Sequence, residues 1–338
     1  MIRIGVLGYG YWGPNLVRNF AETAGCEVVM VCDLRDERLA QVRKRYPTIK
    51  TSTNMADLFG DASIDAVVIA TPVSTHYELA SKALAAGKHV WVEKPMTSTA
   101  ADAHRLVEQA ARAKKVLHVD HTFVYTGAVR KMHDLIANDG VGDIYYYDST
   151  RVNLGLFQHD VNVIWDLAVH DLSIMDYLLP SHAKAVSATG MAHVPGGHED
   201  IAYLTFFFDN SLIGHVNVNW LAPVKIRRTL IGGSRKMLVY DDLEPSEKVK
   251  VYDKGITVAT DPASVYQLKI GYRAGDMWAP QVEISEALQV EVKHFLECIN
   301  SGTSTVTDGQ AGLRMVQALE AASKSLAERG RVVELGSL

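Results

Sequence analysis

Ile2–Gly13 reads IRIGVLGYGYWG, an apolar run that breaks into glycines at 8, 10 and 13, and Asp33 follows 20 residues after the last of them. Such a run is a buried parallel strand. Gly8 permits the tight turn that leaves it, and Gly10 lets the backbone approach a pyrophosphate seated on the N-terminus of the next helix. Gly13 lets that helix pack close to the strand. A second apolar run, Cys26–Cys32 (CEVVMVC), ends on Asp33, where a carboxylate can accept hydrogen bonds from both hydroxyls of an adenosine ribose. A bare GxGxxG is weak, and a glycine-rich turn without a ligand is its ordinary alternative; here strand, helix and acid are all in place. The expected cofactor set at this turn is Gly8, Gly10, Tyr11, Trp12 and Gly13 with Asp33 and Arg35. It predicts NAD, because Asp33 repels a 2′-phosphate, while Arg35 leaves room for NADP.

Outward from the turn, apolar strands alternate with amphipathic helices as far as Thr122. Strands are expected at 2–7, 27–32, 66–70, 89–92 and 116–119, and helices near 14–23, 36–45, 76–86 and 99–113. That alternation means right-handed βαβ units and a doubly wound parallel sheet of the Rossmann type, with ligands at the carboxyl ends of its strands. Beyond a helical stretch to about Asn138 the pattern changes. Long segments rich in β-branched and aromatic residues, such as 143–153, 201–208 and 212–221, are joined by short Gly, Asn and Asp turns. They predict an α+β domain with a large, mainly antiparallel open sheet. The expected division is 1–122 for dinucleotide binding and 123–338 for substrate binding and oligomerisation, with the active site in the cleft between. Two helices, about 285–300 and 308–328, close the chain, the first ending at Gly302 and the second opening after Thr307-Asp308.

The 338 residues are 48% hydrophobic and 22% charged, with a formal net charge of -5 and no long lysine or arginine block. This composition argues against a nucleic-acid surface or a polybasic membrane anchor. No apolar run approaches the roughly 20 residues of a membrane helix, and the first strand starts at once, leaving no room for a signal peptide. Cys26, Cys32 and Cys298 lack metal-ligand spacing and read as small core residues. A soluble, cytoplasmic protein without a metal is expected.

At the end of the third parallel strand stand Thr71 and Pro72, with His76 just beyond; at the end of the fourth stand Glu93, Lys94 and Pro95. Pro95 keeps Lys94 out of the helical region. A lone lysine is usually a solvated charge, but this one sits where the fold presents ligand-contacting groups. Farther on, Asp166 and His170 stand four residues apart, which puts both on one face of a helix. They could equally be a capping acid and a satisfied core histidine.

Taken together, GYGYWG, Asp33, ATP at 70–72, EKP at 93–95, DxxxHD at 166–171 and the stretch Glu286–Glu320 resemble the glucose-fructose oxidoreductase, inositol dehydrogenase and rhizopine catabolism (Gfo/Idh/MocA) family over nearly the whole chain. The resemblance implies hydride transfer between NAD(P) and a sugar, cyclitol or sugar nucleotide. It further implies a cis Lys94-Pro95 peptide, an open sheet used for homodimer or homotetramer assembly, and Lys94, Asp166 and His170 as the catalytic lysine, aspartate and histidine. Many members carry a glycine and an asparagine where this chain has Asp120-His121-Thr122-Phe123, so His121 is the expected nicotinamide-side contact. Arg151, Asn153 and the loop at 154–162 look most like members of sugar-nucleotide and polysaccharide pathways, and Tyr125 completes the expected substrate set. Arg151 could bind a carboxylate or phosphate bidentately, or be a surface strand arginine.

Oxidising a secondary alcohol needs a base for the hydroxyl proton, and histidine titrates in the right range. His170 is the expected base, Lys94 the stabiliser of alkoxide charge, and Asp166 the group that orients the imidazole or holds a neighbouring hydroxyl. The expected substrate is a pyranose or sugar nucleotide, with C3 as the candidate position, and a cyclitol is the alternative within enzymes. A non-catalytic dinucleotide-binding sensor is the alternative from another class; a sensor needs none of Lys94, Asp166 and His170.

Overall fold

A computed structural model of the chain describes residues 1–155, 161–258 and 270–336. Two compact units emerge, Met1–Tyr125 with Ser285–Glu320, and Thr126–Ile284 with Ala321–Ser337.

The first unit holds a six-stranded parallel sheet: β1 (Ile2–Leu7), β2 (Cys26–Cys32), β3 (Lys50–Ser52), β4 (Ala66–Ile69), β5 (His89–Glu93) and β6 (Leu117–Asp120), in the order β3-β2-β1-β4-β5-β6. The order reverses between β1 and β4, which makes the carboxyl ends of these two strands the switch point where such sheets bind ligands. Gly8 follows one of those ends and Ala70 the other, and both backbones continue the ladder, Gly8 N–H donating to Cys32 O at 2.7 Å and Ala70 N–H to Leu7 O at 2.8 Å. Around the sheet lie α1 (Gly13–Glu22), α2 (Asp36–Arg45), α3 (Met55–Gly60), α4 (His76–Ala85) and α5 (Ala100–Ala113). The last of these starts on a reciprocal cap, the Thr99 hydroxyl accepting from Asp102 N–H and donating to the Asp102 carboxylate.

Residues 285–320 differ from the expected division, which put them in the second domain. α8 (Ala287–Ser301) sends Leu288, Val292, Phe295 and Leu296 into the core built by Ile4, Val6, Phe20 and Trp91 of the first unit. Phe295 meets Trp91 edge to face at 5.4 Å and Phe20 at 6.3 Å. Fully burying an aromatic ring of this size contributes about 1.5–3 kcal/mol, so the helix follows its apolar stripe rather than its place in the chain. It ends on Gly302 at φ +70°, and α9 (Gly309–Ala327) opens with the Asp308 carboxylate accepting from Ala311 N–H at 3.0 Å.

The second unit carries α6 (Gly127–Ala137), α7 (Val169–Leu178) and a nine-stranded sheet. Its strands include β7 (Ile144–Leu154), β8 (Ala185–Met191), β9 (Ile201–Phe207), β10 (Ile213–Asn219), β11 (Leu221–Gly233) and β12 (Met237–Asp241). β10 pairs with β7 in parallel while the other ladders are antiparallel, so the sheet is mixed, mostly antiparallel. Period-two alternation divides it cleanly. Ala202, Leu204 and Phe206 of β9 are fully buried, whereas Tyr203 and Phe207 on its other side are 46% and 37% exposed. Phe206 thus belongs to the core, and the aromatic open side is made by Tyr203 and Phe207. Among the described residues no helix is long and apolar enough to cross a membrane.

Candidate active site

In the first unit the glycines form a cradle. Gly8 has φ +95°, and a Cβ there would lie 2.4 Å from Ala70 O; one on Gly13 would lie 2.5 Å from Gly8 O. Neither position can carry a side chain without moving backbone. At Gly10 the opposite holds: among the described residues no atom stands within 4 Å of where a Cβ would be, so the missing side chain leaves open space over the turn. α1 begins beside it with proline in its first turn and no acid there, so its positive N-terminus meets no carboxylate of its own helix. Tyr11 and Trp12 stand out from the loop, 85% and 44% exposed, with rings edge to face at 5.9 Å. Asp33 is locked by two backbone donors, Tyr9 N–H to Oδ2 at 2.8 Å and Arg35 N–H to Oδ1 at 2.9 Å, with Arg35 Nε 3.6 Å from Oδ1. Each oxygen keeps further acceptor capacity for a ribose hydroxyl. Turn, helix end and acid fit the pyrophosphate and ribose of a dinucleotide.

The strand ends bring Thr71, Pro72, His76, Glu93 and Lys94 together in this unit. His76 is 1% exposed, and its two ring nitrogens face Pro95 O at 2.9 Å and Thr71 O at 2.8 Å. Burial drives its pKa down against the pull of those carbonyls. Its part is to brace the loop after β4 to the loop after β5. The Lys94-Pro95 peptide is cis, and Lys94 is half-buried above a buried Glu93. His121 is 1% exposed. Tyr125, also buried, shares a hydrogen bond with Thr307 Oγ1 at 3.1 Å, and burial pushes its phenol upward.

In the second unit the expected α-helical spacing of Asp166 and His170 is replaced by a π-helical turn, Ile164–Ala168, running into α7. Asn162 caps this turn, its Oδ1 accepting from Ile164 N–H at 3.2 Å and Trp165 N–H at 3.3 Å. Such wide turns concentrate at functional sites because they re-aim a side chain within a helix. Asp166 Oδ2 accepts the Trp220 indole N–H at 3.1 Å. One residue after His170, Asp171 fastens α7 to β7. Ser149 Oγ donates to its Oδ1 at 2.6 Å, Arg151 Nε to its Oδ2 at 2.5 Å, and Tyr147 OH to its carbonyl at 3.0 Å. Arg151 is 2% exposed, so the surface-arginine reading is overturned: its guanidinium lies against Asp171 in a buried ion pair. Removing one partner of such a pair is costly because it strands the other. Asn153 is half-exposed at the end of β7, and the loop at 154–162 has 156–160 outside the described residues.

Sequence reasoning missed Trp220, Asn162 and the bracing role of Asp171. Trp220 lies 54 residues from the aspartate it holds, and no spacing rule connects them. Among the described residues no cluster of His, Cys, Asp and Glu could hold a metal ion.

A switch-point glycine cradle with an acid at the end of the second strand is the fold and geometry of a dinucleotide-binding protein. Residues 2–121 match the model of the oxidoreductase family with an NAD-binding Rossmann fold, and residues 129–239 match the GFO/IDH/MocA C-terminal domain. The chain is 30% identical to an uncharacterized oxidoreductase, YdgJ, of Escherichia coli over 73% of each chain. It is 23% identical to the myo-inositol 2-dehydrogenase of Thermotoga maritima over 98% of each. To the UDP-N-acetylglucosamine 3-dehydrogenase of Acidithiobacillus ferrooxidans it is 26% identical over 94% of this chain and 95% of that one. A solved structure of that enzyme superposes with a TM-score of 0.80 at 26% identity, over 97% and 98% of the two chains. This chain belongs to the Gfo/Idh/MocA oxidoreductase family, and its cofactor is of the NAD type.

Proposed function

We propose that the protein is an NAD-dependent dehydrogenase acting on a secondary hydroxyl of a pyranose, free or carried by a nucleotide, with C3 as the reacting position. One observation carries the assignment of residues. Lys94, Asp166 and His170 keep partial exposure, while Glu93 beside the lysine, Trp220 against Asp166 and the Asp171–Arg151 pair that fastens α7 to β7 are buried. Reactive groups left accessible on a rigid, buried support are what catalysis by positioned side chains requires. His170 takes the hydroxyl proton, Lys94 hydrogen-bonds the same oxygen and stabilises its developing charge, and Asp166 orients the imidazole or a neighbouring hydroxyl. NAD, when bound, supplies the nicotinamide that accepts the hydride. The glycine turn and Asp33 hold the pyrophosphate and ribose.

A cyclitol is the second reading, favoured by the full-length similarity to an inositol dehydrogenase and by the commitment of Arg151 to Asp171, which takes away the foremost candidate for gripping a phosphate. The deciding experiment replaces Lys94 and His170 singly by alanine. NADH affinity by fluorescence should stay near normal while turnover falls by about 10²–10⁴; near-normal turnover on the true substrate would overturn the assignment.

The open side of the second unit's sheet, with Tyr203, Phe207 and Ile213 exposed, is the proposed homo-oligomer interface. A monomer by light scattering at micromolar concentration would refute it. Free, buried Cys26, Cys32 and Cys298 suit a reducing cytoplasm, which cell fractionation can check.

A further inference from the structure

Two supports of Asp166 in the second unit lead back to one dipeptide, Glu199-Asp200. The first support is Asn162, whose Oδ1 accepts from Ile164 and Trp165 N–H at the start of the π-helical turn and whose carbonyl accepts from Asp166 N–H at 3.2 Å. The second is Trp220, the indole donor to Asp166 Oδ2. Glu199 holds Asn162: its Oε2 accepts from Asn162 Nδ2 at 3.0 Å, and its carbonyl accepts from the neighbouring Val163 N–H at 3.0 Å. Asp200 holds Trp220, its carbonyl accepting the Trp220 backbone N–H at 2.8 Å.

The dipeptide is itself anchored where β8 meets β9. Asp200 N–H donates to Met191 O at 3.0 Å, next to the Met191 and Ile201 register pair, and the fully buried Asp200 carboxylate accepts from His193 N–H and faces His193 Nδ1, both at 2.7 Å. What Glu199 adds is direction. An asparagine amide turned over would set its NH₂ against the two backbone N–H groups and cap nothing, whereas a carboxylate can only accept, so it keeps the NH₂ on its own side and leaves Oδ1 to the turn. His170 lies beyond this turn on α7, which Asp171 ties to β7 through Arg151. The contacts of Glu199 therefore bear on Asp166 rather than on His170.

We propose that Glu199 is a positioning residue for Asp166: it sets the orientation of the Asn162 amide, and the amide sets the π-helical turn from which Asp166 projects. The proposal rests on the reading of Asp166 as a site residue. In E199A the amide loses its guide, and turnover falls by about 10–100-fold, the scale of a misplaced group in a positioned site. In E199Q the side-chain carbonyl still accepts from Asn162 Nδ2, and turnover stays within about threefold of the parent. NADH affinity stays within about twofold in both, because the glycine cradle shares no partner with this loop.

The test measures turnover in a cycle with Asp166→Ala. Acting through Asp166, E199A should cost nothing further, to within about twofold, once that carboxylate is gone. Whichever of kcat and KM changes in Trp220→Phe should also be the one that changes in E199A. Hydrogen exchange over residues 162–168 reports the turn without any catalysis; protection there should fall in E199A and persist in E199Q. Normal turnover in E199A, an equal loss from E199A with and without Asp166, E199Q as damaging as E199A, or exchange unchanged by E199A would each overturn the proposal. Normal turnover in Asp166→Ala would instead sink the reading of Asp166, and the exchange result would still decide whether Glu199 sets the turn.

Discussion

In the first unit the cofactor cradle is made of backbone. Gly8, Gly10 and Gly13 act through what they lack, and Asp33 is held by two main-chain N–H groups. In the second unit Asp166 and the helix that carries His170 are held by side chains. Trp220 reaches Asp166 across 54 residues of sequence, and Arg151, Ser149 and Tyr147 of one strand grip Asp171 of one helix. The difference is one of tolerance. A pyrophosphate looks the same in every dinucleotide, so a rigid backbone shape serves it. A sugar ring differs from its relatives by the direction of single hydroxyls, and side-chain networks can be re-aimed one residue at a time without rebuilding the fold.

That comparison breaks most visibly at Gly8. In Gly8→Ala the Cβ meets Ala70 O at 2.4 Å with φ at +95°, strain of about 1–3 kcal/mol that the loop can relieve only by leaving its native path. NADH affinity, measured by fluorescence titration, should drop by about 10–100-fold, with the far-UV circular dichroism of the fold preserved. Unchanged affinity would mean that backbone shape does not govern the glycine cradle.

Legibility followed the same line. The glycine turn, Asp33, the strand ends at Thr71 and Lys94 and the Gly302 and Asp308 helix boundaries could be read because each is fixed by neighbours within a few residues. The edge strand Lys50–Ser52 could not, since three polar residues give no periodicity. The π turn at Ile164–Ala168 escaped because spacing rules assume 3.6 residues per turn, and it takes Asn162 and Trp220, distant or outside the motif, to hold it. Which face of β9 points inward could not be read either, because that parity is set by sheet packing, and it is Phe206 that goes to the core. α8 was assigned to the wrong unit for a related reason: an amphipathic stripe announces that a core exists but not which one.

A sharper version of the contrast lies in cofactor choice. Asp33 is fixed by backbone donors, and its nearest cation, Arg35 Nε, stands 3.6 Å away. A 2′-phosphate would meet a carboxylate that cannot swing aside, a like-charge contact of about 1–4 kcal/mol at the effective dielectric of a protein surface. We predict that kcat/KM for NAD exceeds that for NADP by about 10–100-fold. A preference for NADP would show that Arg35 overrides Asp33, and that a side chain, after all, decides selectivity in the cradle built from backbone.

The smallest effect is expected at Trp220, and it tests the side-chain network of the second unit directly. Its indole N–H is the donor to Asp166 Oδ2 at 3.1 Å, and the ring itself is 1% exposed, packed where a Cβ on Gly155 would strike it at 2.4 Å. Trp220→Phe keeps an aromatic ring in the core but removes the donor. A hydrogen bond to a charged group contributes about 1.5–3 kcal/mol, and part of that loss should be recovered by solvent because Asp166 is half-exposed. Turnover should therefore fall by only about tenfold, with NADH affinity unchanged, since nothing in the glycine cradle depends on this contact. The informative measurement is the split between kcat and KM. If Asp166 orients the base, kcat carries the loss and KM stays put; if Asp166 holds a hydroxyl of the substrate in the ground state, KM rises and kcat is spared. A variant indistinguishable from the parent in both constants would show that the indole merely fills space, and that the aspartate is held by something other than the network described.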